Sequence, residues 1–566
     1  MKKQNYPYYT YMPEYINFRD MVKQTTEKFS DDIVFSYRNR HSDPAPTCVT
    51  YSEFESDIKA IGTQALAEGF GKTHIAVIGK LSYNWISVYF SVLSIGAVLV
   101  PLDRDWTEDD LGSTLAKAEC TVIFCDDDIR EKGEKAAASA GITNIIFLGG
   151  KEGQTLESFR KKGEALIAGG DNSFDTAEID PHALAELVFT SGTTGKGKGV
   201  MLSQKAILSN LHGAFSILKI SKKTISVLPP HHTYGSTISL LSGYCNGTNA
   251  YISSGLRFFL NEMAEQKPEH MILVPLYMET FYRRIWATAK KSGKENLLKK
   301  MIKVSNALRK TGIDMRKAFF GKTVLSVFGG ELKMIVCGGA PLSQEIIDAF
   351  DDFGIQVLNG YGITECSPLI SANRLLYTVP NSVGMPIPEE EIFIDNPNED
   401  GEGEICVRGP HVMLGYFKDE EATKQAIDKN GFFHTGDIGK LEKDAICITG
   451  RVKNLIILSN GKNVYPEEIE SALSTIPGIT DVVVYEGISK RGPANNAIVA
   501  EIYPDKEYLE QNSVTNFSEY FSEHVNNYNR HAVPYKKIGI VRIREDEFPK
   551  NTLRKIMRFK IDKTID

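Results

Sequence analysis

The chain has 566 residues, of which 42% are hydrophobic and 24% charged, and its net charge at pH 7 is −7. This length predicts more than one domain, since a single core stops growing at about 250 to 300 residues, and the acidic balance argues against general binding of nucleic acid. The eight cysteines have neither metal-ligand spacing nor the density of a disulfide framework, which indicates reduced thiols in a cytoplasmic protein.

Residues 85–102, WISVYFSVLSIGAVLVPL, are uncharged and just long enough to span a membrane, which takes about 18 to 20 residues. Three serines, Gly96 and Pro101 within this stretch favour a buried helix followed by a buried strand. We therefore expect no transmembrane segment. The lysines at positions 2 and 3 are not followed by an apolar run, so we also expect no secretory signal.

Short β-branched runs alternate with helical patterns along most of the chain. Examples are HIAVIGK before SYNWISVYFSVL, TVIFCDD before EKGEKAAASAG, and KMIVCGGA before SQEIIDAFDDFG. This alternation predicts βαβ units in a parallel-rich α/β fold, with ligands at the carboxyl ends of the strands. After Arg451 a shorter α+β pattern begins, so we predict an N-terminal domain over 1–450 and a C-terminal domain over 451–566.

Residues 283–322 form a basic segment with 13 lysines and arginines and only two acidic residues, Glu295 and Asp314. Apolar residues such as Leu298, Met301 and Val304 lie near helical spacing in it. We favour a solvated helical hairpin. The alternative is peripheral contact with a membrane through anionic lipid headgroups.

The stretch LVFTSGTTGKGKGVMLS, 187–203, combines glycines, hydroxyl side chains and lysines between two apolar runs. It satisfies GxxxxGK, but Gly199 stands where a Walker loop needs serine or threonine for magnesium, and VML reads as a strand. The next helix should begin after Ser203, a suitable N-cap. The loop is therefore predicted to bind phosphate through backbone N–H groups, hydroxyls and lysine without being a P-loop.

Five motifs occur in a fixed order: TSGTTGKGKGV at 190–200, GYGITE at 360–365, HTGD at 434–437, GRVKNLI at 450–456 and PKNTLRKIMR at 549–558. Together they resemble the adenylate-forming superfamily of acyl-CoA synthetases, luciferases and peptide-synthetase adenylation domains, over nearly the whole chain. The resemblance implies a large N-terminal domain of sheets layered with helices, a small mobile C-terminal domain, and an active site between them.

The resemblance also implies roles for individual residues in binding ATP and Mg²⁺. The ATP site would be formed by Thr190, Ser191, Gly192, Thr193, Thr194, Lys198, Gly339, Ala340, Pro341, Tyr361, Asp437 and Arg451. Thr364 would bond the α-phosphate and Glu365 would help to hold Mg²⁺, although a Thr-Glu pair after a strand is also a common helix cap. Gly197 replaces the usual proline of the family, which favours a more flexible loop.

Lys555 is the residue that the resemblance assigns to the first half-reaction, because a cation there stabilises negative charge developing on the α-phosphate. Asn551 and Arg554 depart from the threonine and glycine usual in this motif, so a plain basic helix stays an alternative. Lys453 matches the hinge of the family and Gly461 a loop beside the CoA tunnel. His232 matches a gate beside the acyl site, or is a hydrogen-bonded core histidine.

The stretch LSNGKNVYPEEIE, 458–470, and the basic segment ahead of CGGAPL are similar to long-chain fatty acyl-CoA synthetases. The expected activity is ATP-dependent ligation of a fatty acid to CoA through acyl-AMP. Alternatives are an acyl carrier protein as acceptor, an aryl acid as substrate, or a homologue that binds nucleotide and acyl groups without turnover. We expect a cytoplasmic location, with or without peripheral contact at a membrane.

Overall fold

The structure is a computed structural model that describes residues 14–190, 197–458, 462–492, 495–550 and 556–565. The chain divides into two compact units. The first unit comprises residues 1–391 and 407–433, and the second comprises residues 392–406 and 434–566. The prediction of a hinge and domain boundary at 451–453 stays a prediction.

The helices are distributed over both units, with most of them in the first. They are α1 (Phe18–Phe29), α2 (Tyr51–Ala67), α3 (Tyr83–Ser94), α4 (Glu108–Lys117), α5 (Arg130–Ser139), α6 (Leu156–Ala168), α7 (Ser173–Thr176), α8 (Gln204–Ile217), α9 (Ser242–Cys245), α10 (Phe259–Gln266), α11 (Pro275–Lys291), α12 (Glu295–Arg309), α13 (Arg316–Phe320), α14 (Gln344–Phe353), α15 (Glu420–Ala426), α16 (Pro466–Leu473), α17 (Lys506–Gln511) and α18 (Phe517–His531).

The strands are short and follow the alternating pattern of the sequence. They are β1 (Ile33–Tyr37), β2 (Thr47–Thr50), β3 (His74–Ile78), β4 (Val98–Leu102), β5 (Cys120–Cys125), β6 (Asn144–Phe147), β7 (Leu184–Thr190), β8 (Lys198–Ser203), β9 (Lys223–Ser226), β10 (Asn249–Ile252), β11 (His270–Leu273), β12 (Met334–Cys337), β13 (Gln356–Gly362), β14 (Leu369–Ala372), β15 (Met385–Pro386), β16 (Glu391–Asp395), β17 (Gly403–Arg408), β18 (Gly415–Tyr416), β19 (Phe433–Glu442), β20 (Ala445–Arg451), β21 (Ile456–Ile457), β22 (Asn463–Val464), β23 (Ile479–Gly487), β24 (Ala497–Pro504) and β25 (Ile540–Ile543).

The first unit contains three sheets. The largest has seven strands in the order β18-β8-β7-β4-β3-β5-β6, with β7, β4, β3, β5 and β6 parallel to one another and β8 antiparallel to β7. A five-stranded sheet has the order β11-β12-β13-β14-β15 and a four-stranded sheet the order β2-β1-β10-β9. The prediction of an α/β fold with parallel-rich sheets is confirmed.

The uncharged stretch 85–102 lies inside the first unit. It forms most of α3 and all of β4, and Trp85, Tyr89 and Phe90 of α3 have no exposed surface. Ser82 caps α3 by accepting a hydrogen bond from the backbone of Trp85. The prediction of a buried helix and strand is confirmed. Among the described residues, no helix combines the length and the apolar character that crossing a bilayer requires.

The second unit is smaller and has an α+β pattern. Its sheets are β16-β17-β19-β20, the two-stranded β21-β22, and β23-β24-β25. The residues of the first of these sheets that count with the first unit are Glu391, Val407, Arg408 and Phe433. Helices α16 and α18 pack against the β23-β24-β25 sheet through a core that includes Ile469 and Phe521.

Candidate functional site

The glycine-rich stretch connects two antiparallel strands of the seven-stranded sheet. Strand β7 ends at Thr190 and β8 begins at Lys198, and these two residues are paired across the strands. Ser203 caps α8 through its side chain, as predicted. Ser191, Gly192, Thr193 and Thr194 lie outside the described residues. The described part of the hairpin brings Thr190 and Lys198 together at the end where the loop connects the two strands.

Gly197 makes a close backbone contact in this hairpin. A Cβ atom at this position would lie 2.8 Å from the carbonyl oxygen of Thr190, a distance that real Cβ atoms essentially never show. The carbonyl of Gly197 accepts a hydrogen bond of 2.9 Å from Lys117 of α4. Glycine therefore allows the two strands to approach more closely here than proline would in the same conformation.

Strand β18 continues the sheet beyond β8 and brings Tyr416 beside the glycine-rich hairpin. Tyr416 is paired with Val200, and the ammonium of Lys198 lies 4.4 Å from the centre of the Tyr416 ring. The Tyr416 hydroxyl donates a hydrogen bond of 2.9 Å to Oε1 of Glu365. Through this tyrosine, the structure places Lys198 and Glu365 on one polar surface of the first unit.

The turn that carries Thr364 and Glu365 is fixed by backbone hydrogen bonds. Both residues belong to a 3₁₀ helix, Thr364–Cys366, which follows β13, and both are partly buried. The buried Asn210 of α8 donates to the carbonyls of Cys366, at 3.0 Å, and Leu369, at 2.7 Å. The backbone of Met413 also donates to the Glu365 carbonyl at 2.8 Å. The Glu365 carboxylate therefore projects from a rigid support.

Tyr416 keeps its proton over the ordinary pH range. Burial, reinforced by the charge of Glu365, raises the pKa of the Tyr416 hydroxyl well above its usual value. The hydroxyl is thus a hydrogen-bond donor, while Glu365 offers carboxylate oxygens of the kind that Mg²⁺ prefers. Glu365 is therefore a residue that could hold Mg²⁺, and Lys198 supplies a cation on the other side of the same tyrosine.

A second group of the residues predicted to bind ATP lies in the first unit, at the neighbouring ends of the parallel strands β12 and β13. Gly339 has a φ of +87°, which favours glycine. A Cβ atom at Gly338 would lie 3.2 Å from the Gly360 carbonyl oxygen and 3.3 Å from Cζ of Tyr234. Tyr361 is 7% exposed and lies in β13 directly after Gly360. Ala340 and Pro341 follow Gly339 and are exposed.

Two histidines and an aspartate lie together ahead of a π-helix, Tyr234–Leu241, with Asp103 and His231 buried and His232 partly buried. Nε2 of His231 lies 3.6 Å from Oδ2 of Asp103, and the rings of His231 and His232 have centroids 4.2 Å apart. Burial lowers the pKa of His231 to about 4 and that of His232 to about 3, so both are neutral at pH 7. Nε2 of His232 is buried without a hydrogen-bond partner among the described residues.

In the second unit, Asp437 and Arg451 are cross-strand neighbours. They face each other in the pairing of β19 with β20, and Nε of Arg451 lies 2.6 Å from Oδ1 of Asp437. The Asp437 side chain is 4% exposed, whereas that of Arg451 is 45% exposed. The structure thus brings together the two residues that the sequence assigns to the ribose.

The loop before Asp437 is held by Glu404. Oε1 of Glu404 accepts from the backbone of Gly436 at 2.9 Å, and Oε2 lies 2.9 Å from Nδ1 of His434. Cys406 is 3.4 Å from the same His434 nitrogen. Glu404, Cys406 and His434 each have an atom that can bind a metal ion, and these atoms lie within 4.8 Å of one another. The hydrogen bonds among the three side chains account for that arrangement. Glu404 therefore orients the turn that presents Asp437.

Lys555 and Gly461 lie outside the described residues, and Lys453 lies in a 3₁₀ helix, Val452–Asn454. The ends of the segment around Lys555 are anchored, since Lys550 and Ile556 form an antiparallel bridge. Lys550 lies 2.7 Å from both Asp481 and Glu547. Arg558 forms an ion pair with Glu470. The two flanking cations are therefore neutralised within the second unit.

Sequence reasoning did not single out Tyr416 or Asn210. Tyr416 stands in MLGYFKD, 413–419, where a glycine and an aromatic residue precede two charged ones. That pattern alone does not indicate a site, because the role of Tyr416 depends on the pairing of β18 with β8. Asn210 has no sequence signal other than its position on the apolar helix α8.

Comparison with known proteins agrees with the motifs on the family to which the chain belongs. The family described as AMP-binding enzyme matches residues 22–417. The long-chain-fatty-acid–CoA ligase 1 of Cavia porcellus is 28% identical in an alignment of 538 residues that covers 87% of this chain and 75% of the relative. The anthranilate CoA ligase AuaEII, solved with anthranoyl-AMP, aligns with a TM-score of 0.77 at 17% identity, over 97% of each chain. ATP-bound MatB from Rhodopseudomonas palustris aligns with a TM-score of 0.75 at 22% identity, over 96% of this chain and 98% of MatB.

Proposed function

Because the chain belongs to the AMP-binding enzyme family, we propose that it is an acid–CoA ligase that works through an acyl-adenylate. In the first half-reaction the substrate carboxylate attacks the α-phosphorus of ATP, and pyrophosphate leaves. In the second, the CoA thiol gives its proton to solvent, its sulfur attacks the acyl carbonyl, and AMP leaves. No enzyme nucleophile is required, since the adenylate is itself the activated intermediate.

The observation that carries this proposal is the convergence of Lys198, Tyr416 and Glu365 beside the glycine-rich hairpin. Lys198 would neutralise charge on the β- and γ-phosphates, together with the hydroxyls of the hairpin. Thr364, next to Glu365, would donate to the α-phosphate. Positioned cations and donors of this kind lower the barrier of phosphoryl chemistry by stabilising charge as it develops.

Glu365 is the residue that would hold Mg²⁺. When bound, the ion supplies charge neutralisation on the phosphate oxygens and screens the approaching carboxylate from their repulsion. The chain's contribution is orientation: Tyr416 holds one oxygen of Glu365, which favours presentation of the other oxygen outward. ATP, Mg²⁺ and CoA are thus the cofactor and substrates that we propose.

The nucleoside would be held by two groups of residues. Tyr361 would lie along the adenine, with Gly339, Ala340 and Pro341 on the other side, since Gly338 at the start of that turn lies next to Gly360 of β13. Asp437 would accept hydrogen bonds from the ribose hydroxyls, and Arg451 would hold its carboxylate in place.

Lys555 is proposed to bridge the carboxylate and the α-phosphate in the first half-reaction. Rotation of the C-terminal domain about Lys453 would then withdraw Lys555 and bring the loop at Gly461 to the pantetheine arm. Conformational steps of this kind let one site run two reactions in sequence. His232 would lie beside the acyl group.

The substrate that we propose is a long-chain fatty acid. Its support is the name of the Cavia porcellus relative, at 28% identity, together with the stretch LSNGKNVYPEEIE and the basic segment. The likeness to anthranilate CoA ligase and MatB, at 17% and 22% identity, concerns the fold. An acyl carrier protein as acceptor, an aryl acid, and a homologue without turnover are the alternatives that an experiment separates.

The test is pyrophosphate release from ATP and Mg²⁺ with fatty acids of graded length and with benzoate-like acids, each with and without CoA. We expect release that grows with chain length and that is coupled to formation of acyl-CoA and AMP. Turnover with the aryl acids alone would mean that the substrate is an aryl acid and not a fatty acid. Turnover that needs an acyl carrier protein would mean that this protein, and not CoA, is the acceptor. Binding of ATP without pyrophosphate release in the presence of any acid would contradict the proposed ligase activity.

A further inference from the structure

The basic segment 283–322 is the most positively charged part of the protein. Its 13 basic and two acidic residues give it a net charge of +11. Because the whole chain carries −7, the remaining residues together carry −18. A positive region of this size on an acidic protein is concentrated rather than spread, and such a surface attracts anionic partners at long range.

The segment is helical, as predicted, and one side of α12 faces the protein. Leu298 and Ser305, two turns apart on that side, are 7% and 1% exposed. At the end of α12, Arg309 lies 2.5 Å from Asp351, and Asn306 donates to Asp352 at 2.7 Å. The acidic helix α14 thus neutralises the inward side of the basic segment.

The outward side of α12 has a different composition. Lys300 and Lys303 lie opposite the buried positions, are exposed, and form no ion pair with any described residue. Leu297 and Val304, two turns apart with Lys300 between them, are 53% and 51% exposed. Exposed aliphatic side chains interleaved with lysines differ from an ordinary solvated face, which carries charges of both signs.

A further apolar side chain lies in the connection that follows α12. Ile313 is 51% exposed, between Lys310 and the short helix α13. Lys317 of α13 is 80% exposed, and its ammonium lies as far as 4.0 Å from the carboxylate of Glu331. Exposed apolar residues are therefore accompanied by lysines from Leu297 to Lys317.

We propose that the basic segment docks on a bilayer that contains anionic phospholipids. The lysine ammonium groups would contact the lipid phosphates, and Leu297 and Val304 would enter the interface between headgroups and acyl chains. Aliphatic residues between lysines suit a lipid interface, whereas single-stranded nucleic acid is bound by stacking on aromatic rings. The inference is consistent with the proposed fatty-acid substrate, which partitions into bilayers, but its test needs no substrate.

The experiment is flotation of the full-length protein with vesicles of phosphatidylcholine, alone or mixed with phosphatidylglycerol. We expect binding to the mixed vesicles that weakens as salt is added, and much weaker binding to phosphatidylcholine alone. The double variant Lys300→Gln, Lys303→Gln should lose about fivefold in affinity for each lysine, since one lysine near an anionic surface contributes about 1 kcal/mol. The matched control is Lys23→Gln, Lys162→Gln, which removes the same charge from exposed positions of α1 and α6.

A second pair of substitutions separates a lipid interface from other anionic partners. Leu297→Ser with Val304→Ser leaves the charge unchanged and should weaken vesicle binding, but should not alter weak electrostatic binding to a DNA duplex. Equal binding to both kinds of vesicle, equal loss in the lysine control, or vesicle binding that is insensitive to the serine pair would each overturn the proposal. Vesicle binding is independent of catalysis, so these results are distinguishable from failure of the ligase activity.

Discussion

The Tyr416 hydroxyl donates a 2.9 Å hydrogen bond to the Glu365 carboxylate, across 51 residues of sequence. The same ring lies under the ammonium of Lys198, 4.4 Å from its centre. One side chain thus contacts two groups of opposite charge, Lys198 and Glu365, which we propose as the partners of the ATP phosphates and of Mg²⁺. The ring contacts Lys198 and the hydroxyl contacts Glu365, so substitutions of Tyr416 can remove one contact without the other.

Tyr416→Phe should lower the kcat/KM for adenylation by about 10- to 100-fold, because a hydrogen bond to a charged group is worth about 1.5–3 kcal/mol. Phenylalanine keeps the ring under Lys198, so Tyr416→Leu should lower the value further. The measurement is pyrophosphate release over a range of Mg²⁺ concentrations. A phenylalanine variant with unchanged Mg²⁺ dependence and rate would show that Tyr416 does not orient Glu365.

Asp437→Asn tests the proposed ribose contact. A charged acceptor bonded to ribose hydroxyls contributes more to binding of ATP than to binding of 2′,3′-dideoxy-ATP, which has none. Wild type should therefore prefer ATP, and the variant should lose about 10- to 100-fold of that preference. The measurement is the ratio of kcat/KM for the two nucleotides. If the ratio is the same in both proteins, Asp437 acts only as the partner of Arg451.

Lys555→Ala should reduce adenylate formation by about 100- to 1,000-fold, the loss seen when one group that stabilises developing charge is removed. Thioester formation from a supplied acyl-adenylate should be spared. Lys550→Ala is the control, because Lys550 is held by Asp481 and Glu547. Equal loss of both half-reactions in the Lys555 variant would mean that its role is misassigned.

Lys453→Pro should have the opposite effect. Proline fixes φ near −65° and restricts rotation about this position, so thioester formation should fall while adenylation continues. Lys453→Ala, which removes the same side chain without restricting the backbone, separates the hinge from any contact of the lysine. Thioester synthesis by the proline variant at the wild-type rate would contradict the proposed rotation about Lys453.

The fold was predictable where periodicity and capping agree. The uncharged stretch 85–102 became α3 and β4 because Gly96, which has a φ of +77°, lies between the helix and the strand. Ser203 caps α8 as expected, since its hydroxyl accepts from the backbone of Ala206. Both outcomes depend on local chemistry that lies within a few residues.

The candidate site was only partly predictable, because its supports depend on long-range pairing. Tyr416 reaches Glu365 because β18 pairs with β8 at the edge of the seven-stranded sheet. Asn210 binds the carbonyls of Cys366 and Leu369, more than 150 residues away. No spacing in the sequence indicates either contact, since an edge strand of two residues has no periodicity to read.

A buried carboxyl group in β7 was also invisible from the sequence. Glu186 has no exposed surface, and its Oε2 lies 3.4 Å from the hydroxyl of Tyr89, which stacks on Trp85. Burial raises the pKa of Glu186 to about 8, so the side chain is protonated when folded at neutral pH. It lies in the strand that ends at Thr190, and its ionisation would place a charge inside the sheet that supports the glycine-rich hairpin.

Glu186→Gln should therefore change how stability depends on pH. Below pH 4.5 the glutamate is protonated in both the folded and the unfolded chain, and its contribution is constant. As the pH rises from 4.5 to about 8, unfolding releases a proton, so the wild-type free energy of unfolding falls by about 1.4 kcal/mol per pH unit through this group. Glutamine has no such proton, and the buried histidines are common to both proteins, so their contributions cancel in the comparison.

The free energy of unfolding of the variant relative to wild type should thus increase between pH 4.5 and about 8. The measurement is denaturation followed by the fluorescence of the three tryptophans, which all lie in the first unit. A difference that stays constant with pH would mean that Glu186 is already ionised in the folded protein.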